Sequence, residues 1–240
     1  MTIEFILLAL IFFLAGVTPE ITGFGVATVS MALLPFFLPL DLVIPLVAII
    51  SVIATGIVAL QTKTKGITKY ILPLIVGSSV GVFLGMIFLL SINEDMLQTA
   101  LGAFLVLYSL FAFFYRGHFL PMGKIIGGIT GVVAGFFVAS FNVHGPLVGL
   151  YSASNGDLSK IQTKDLIASY MFIAGSFTVI GHTVSGRITG TVLLYVLFAL
   201  PFVFLGLKVG NTMFKKIHVN WVKGGVYIFV FISGLSFLIS

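Results

Sequence analysis

The chain has 240 residues, of which 59% are apolar and only 8% charged, and its mean hydropathy is +1.24. A soluble domain needs far more surface charge than this, so the composition excludes one. The net charge of +5 is carried by basic residues in loops between apolar runs, a membrane-orientation pattern rather than a nucleic-acid surface. No nucleic-acid partner is expected. The absence of cysteine excludes disulfides, thiol catalysis and cysteine metal sites.

Apolar runs of about 20 residues recur along the chain, continuous rather than alternating, which predicts a polytopic helical protein of the cell membrane and not a β-barrel. The first run, Phe5 to Val17, is interrupted by Thr18-Pro19-Glu20-Ile21-Thr22-Gly23-Phe24-Gly25 and resumes from Val26 to Leu38. Glu4 stands where a signal peptide would be basic, and further spans follow at once, so this start is not read as a cleaved signal. A span is expected over Leu42–Leu60, then a basic loop with Lys63, Lys65 and Lys69, then a span over Tyr70–Leu90 closing on Asn93-Glu94-Asp95. Met96–Tyr115 leads to Arg116, His118 and Lys124. A second interruption, Ser140-Phe141-Asn142-Val143-His144-Gly145-Pro146, separates Ile125–Ala139 from Leu147–Ala153. A polar loop with Asp157, Lys160, Lys164 and Asp165 precedes spans over Leu166–Thr183, Thr189–Val209 and Trp221–Ile239, with Lys215-Lys216-Ile217-His218 between the last two.

The halves, 1–118 and 119–240, resemble each other. Ala15-Gly16 matches Ala134-Gly135, and Gly66-Ile67-Thr68 matches Gly186-Arg187-Ile188-Thr189. Leu72-Pro73 with Gly77 and Gly81 matches Leu200-Pro201 with Gly206 and Gly210. Glu94-Asp95 corresponds to Lys215-Lys216, and equivalent loops of opposite charge belong on opposite sides of a membrane. Counting each interrupted segment as a hairpin makes the number of passes per half odd, so the halves invert. The fold expected is all-α, with two inverted-topology repeats, each a broken-helix hairpin followed by three transmembrane helices. The basic loops then lie inside, and Glu4, Asp41 and Glu94-Asp95 outside. Arg187 is the exception, an external loop charge.

A helix broken in hydrocarbon leaves amides without partners unless they line a wet cavity or hold a ligand. Thr22 is a candidate N-cap, and Gly23 and Gly25 allow close backbone approach. Pro146 suits the start of a helix after His144-Gly145. Two helix N-termini aimed at one place form an anion receptor. The expected substrate-binding residues are Thr22, Gly23, Phe24 and Gly25 with Asn142, Val143, His144, Gly145 and Pro146. His144 either donates to an oxyanion and titrates during transport, or locks the hairpin. Glu20 is either a headgroup residue or, if deep, a proton carrier. Thr28, Ser30 and Ser51 are expected to bond back to their own helices, and His182 to lie at the interface. Gly77, Gly81 and Gly85 share one helix face, as do Gly127, Gly131 and Gly135, and both rows predict close helix packing.

These glycine-bearing segments resemble those of the sulfite exporter TauE/SafE family, the TSUP transporters. The matching stretches run from Ala15-Gly16 through Gly23-Phe24-Gly25 to Leu34-Pro35, and from Ala134-Gly135 through His144-Gly145-Pro146 to Leu150-Tyr151. Val26 and Ala27 after Gly25, and Asn142 and His144, depart from the family's usual small residues. The resemblance implies transport of sulfite, thiosulfate, sulfoacetate or related organosulfur anions. The function expected is secondary transport of such an anion by alternating access, with protons as a candidate coupling ion. An anion channel of the same architecture is the alternative. No HExxH, Gly-x-Ser-x-Gly, Walker motif or close carboxylate pair is present, so neither an enzyme nor a cofactor or metal site is expected.

Overall fold

The computed structural model describes residues 2–17, 25–61, 66–114, 123–143, 145–154, 158–214 and 219–239. Among these it is helical throughout, with ten α-helices. They are α1 (Thr2–Val17), α2 (Gly25–Leu33), α3 (Leu40–Gln61), α4 (Thr68–Ser91), α5 (Glu94–Phe114), α6 (Lys124–Phe141), α7 (Gly145–Ser154), α8 (Lys160–Val184), α9 (Gly190–Phe214) and α10 (Val219–Ile239). A 3-10 turn, Leu34–Phe36, follows α2. Six helices, α3 to α6 with α8 and α9, are long and apolar enough to cross a membrane. Apolar backbone in lipid must bond to itself, and the helix does this within one segment.

Several helix ends are fixed by short polar signals. Ser159 and Gln162 form a capping box that starts α8 at Lys160. Asn93 Oδ1 accepts the Met96 amide at 2.9 Å at the start of α5. Thr189 Oγ1 accepts the Val192 amide at 3.3 Å at the start of α9.

The chain folds into two compact units. One comprises Met1–Ile50, Ile92–Tyr115 and Gly186–Ser240, the other Ser51–Ser91 and Arg116–Ser185. The halves of the sequence are therefore interleaved.

In the first unit, α1 lies along α9. A methyl group on Gly16 would meet the Val203 carbonyl, one on Gly206 the Phe13 carbonyl, and one on Gly210 the Val17 carbonyl. The contacts advance together, so the two helices run parallel, and Phe5 near the start of α1 stacks on Tyr195 near the start of α9 at 5.5 Å. α5 and α10 are antiparallel, with Gly102 against Gly234 and Ser109 beside Tyr227. Val26 to Ala32 of α2 are buried.

In the second unit, α4 and α6 form the most extensive helix pair in the chain. Methyl groups on Gly77, Gly81 and Gly85 would strike the carbonyls of Gly128, Val132 and Phe136 in turn, while Gly131 and Gly135 face the carbonyls of Leu74 and Ser78. Both glycine rows thus let two backbones meet, as their spacing predicts. The first helix of each half thus packs on a glycine helix of the other, α1 on α9 and α6 on α4.

α8 begins six residues before the expected Leu166 and takes Asp165 into the helix, where it is 1% exposed rather than in a loop. His182 is buried in the protein. The reason is that Gly181 packs against Met86 of α4, holding the end of α8 in the bundle.

Candidate functional site

The second interruption is the better defined. α6 ends at Phe141, and Asn142 caps it in the left-handed conformation (φ 58°, ψ 13°), its amide donating to the Val138 carbonyl at 2.9 Å. Asparagine is among the few non-glycine residues that tolerate this conformation. Asn142 and Val143 are 3% and 1% exposed, so the chain reverses inside the protein. α7 starts at Gly145, with Pro146 as its second residue rather than its first. Proline fits there because the first turn's amides have no helical acceptor to lose. Tyr151 of α7 lies against Gly127 near the start of α6, so the two helices double back as a hairpin. Its return arm has only 10 residues, about 15 Å, or roughly half a bilayer's hydrocarbon.

At the first interruption, Gly25 opens α2 with φ +74°, a conformation that favours glycine. α2 is again short, 9 residues, and packs on α1. Glu20, Thr22, Gly23, Phe24 and His144 lie outside the described residues.

Serine hydroxyls add a feature that residue type alone did not show. Most helical hydroxyls here bond back to the preceding turn, as Thr55 does to Ser51, Ser152 to Gly149 and Ser154 to Leu150. Ser30 of α2, Ser51 of α3 and Ser140 of α6 do not: their hydroxyls are buried with no hydrogen-bond partner among the described residues. This corrects the expected back-bonding of Ser30 and Ser51. Thr28 lies near the Tyr108 hydroxyl of α5. Ser140 lies two residues before Asn142. A buried hydroxyl without a partner is costly, by about 1–3 kcal/mol.

By contrast, a cavity of about 220 Å³ between α5 and α10 is lined by Leu110, Phe113, Phe114, Ile228 and Phe231 with Ser109 and Tyr227. Its walls are nearly all apolar, and it is no receptor for an anion.

Six apolar helices of spanning length, with the short helix α7 following the buried turn at Asn142, define a multi-pass α-helical membrane protein. The chain belongs to the sulfite exporter TauE/SafE family, whose model matches residues 8–237. No curated protein and no solved structure matches it. Membership makes this a membrane transporter of the sulfite-exporter type, with a small anion such as sulfite as the implied cargo.

Proposed function

We propose that the protein is a secondary transporter of a small sulfur-containing oxyanion, sulfite, thiosulfate or an organosulfonate, working by alternating access. Each interrupted segment supplies main-chain amides and polar side chains to the substrate's path. In the second these are Asn142, Val143, His144, Gly145 and Pro146, and in the first Thr22, Gly23, Phe24 and Gly25. The two halves act as inverted repeats, so that one access state is the mirror of the other.

The observation that carries this reading is the buried reversal at Asn142, followed directly by the N-terminus of α7. Free amides and the positive end of a helix dipole favour an anion there.

The test is flux into proteoliposomes of purified protein, with a panel of sulfite, thiosulfate, sulfonates, sulfate and carboxylates. Saturable, counterflow-competent uptake of a sulfur oxyanion is the expected result. Uptake of none of the panel would overturn the reading, and single-channel currents would replace the carrier with a channel.

A further inference from the structure

We infer that Asp165 is the group that binds and releases a coupling proton, an inference that rests on the transport reading above. Asp165 is the sixth residue of α8, about 8 Å along the helix, and lies inside the candidate span Ile161–Val184. It is 1% exposed and accepts a hydrogen bond from Ser169 Oγ at 3.2 Å through Oδ1. Ionisable side chains inside a membrane are costly and are kept for a task. Among the described residues of its unit it is the only carboxylate.

The helices around it are polar at the same level. Gly66, just before α4, faces Gln162 of α8, and Ser78 bonds Tyr170 further along, so α4 and α8 run in parallel and Tyr70 lies level with Asp165. Tyr70 of α4 and Tyr151 of α7 are both buried and lie near each other. Ser152 and Ser154 of α7 are buried as well.

The titratable and charged groups on the elements packed around α8 are Lys69 and Tyr70 of α4, Lys124 of α6 and Tyr151 of α7. Residues 51–61 of α3 carry none. α8 itself carries Lys160, Lys164, Tyr170 and His182. Lys69, Lys124 and Lys164 are exposed. His182 is seventeen residues further on, about 25 Å along the helix. Asp165 is therefore the buried acid of this layer among the described residues.

The step balances simply. In the state open to one side, hydronium gives its proton to the carboxylate and leaves water. The neutral acid persists while the site is sealed. Opening to the other side returns the proton to water. No bond other than O–H is made or broken.

The experiment is sulfite transport in proteoliposomes with an imposed pH gradient, comparing wild type with Asp165→Asn and Asp165→Glu. Asparagine keeps an acceptor for Ser169 and the packing, but it cannot titrate. The expected result is that wild type accumulates sulfite down the proton gradient, and that Asp165→Asn loses about tenfold or more of this accumulation while keeping sulfite exchange without a gradient. Asp165→Glu keeps gradient-driven transport with a displaced pH profile. Gradient-driven accumulation undiminished in Asp165→Asn would overturn the inference, and so would wild-type flux driven by sodium instead. Absence of any anion flux in wild type would remove the transport reading itself, which is a different result. Should Asp165→Asn fail to fold, the pH profile of Asp165→Glu decides: a profile identical to wild type overturns the assignment.

Discussion

The Glu94 carboxylate accepts the main-chain amide of Leu40 at 2.8 Å. A residue at the start of α5 thus caps the start of α3, 54 positions away, satisfying one of the donors a helix N-terminus leaves open and placing negative charge at its positive end. Glu94→Ala should lower stability by about 1 kcal/mol, and Glu94→Gln, which keeps an acceptor, by less. Thermal unfolding of purified protein in detergent measures both, and equal losses would mean the hydrogen bond contributes nothing beyond the charge.

Arg187 lies in the field of the same carboxylate. Burial holds its guanidinium below its ordinary pKa, while Asp41 and Glu94 pull it back up. Its folded pKa therefore lies below its unfolded one, and the charged form is disfavoured in the fold. That cost is constant wherever arginine is protonated in both states and is relieved only as pH rises through the folded and then the unfolded value, in strong alkali. Arg187→Gln should leave the shape of the stability–pH curve unchanged between about pH 5 and 9, with the whole curve level with wild type or above it. A loss confined to the acid side would contradict this.

The close approach of α4 and α6 makes a sharp contrast within one helix pair. Gly81 faces the Val132 carbonyl, whereas Gly128 has nothing within 4 Å of the place a Cβ would occupy. Gly81→Ala should cost about 1–3 kcal/mol as the backbones are forced apart, and Gly128→Ala should be neutral or slightly stabilising. Folded yield by size-exclusion chromatography and melting temperature report both, and similar losses in the two variants would count against the contact.

Ser78 and Tyr170 join α4 to α8 through hydroxyls 3.0 Å apart. A double-mutant cycle of Ser78→Ala and Tyr170→Phe should give a coupling of about 0.6 kcal/mol, the size usual between membrane helices. Additive single effects would show the pair to be energetically silent.

Asn142 combines a strained backbone with a buried polar side chain, and two substitutions separate them. Asn142→Gly keeps the left-handed conformation without cost, while Asn142→Ala strains it by about 1 kcal/mol. If the side chain serves the anion, both variants lose sulfite flux although the glycine variant stays stable. Loss in Asn142→Ala alone would assign the residue to shaping the turn.

By itself the sequence determined the membrane setting, most helix limits and both glycine faces. These follow from composition, hydropathy and a 3.6-residue period, which are local properties of the chain. It also marked the interruption at Asn142, because polar residues and glycine inside an apolar run break a helix wherever it is packed. It did not tell which helix each glycine face meets. Gly77 and Gly128 are far apart in the chain, and lipid is as apolar as a neighbouring helix, so hydrophobicity cannot choose the partner. Only the tertiary structure decided that the first helix of each half, α1 and α6, rests on a glycine helix of the other. For the same reason Asp165 read as a loop charge: its burial depends on α4 and α7 closing around α8, and no neighbour in the sequence records that.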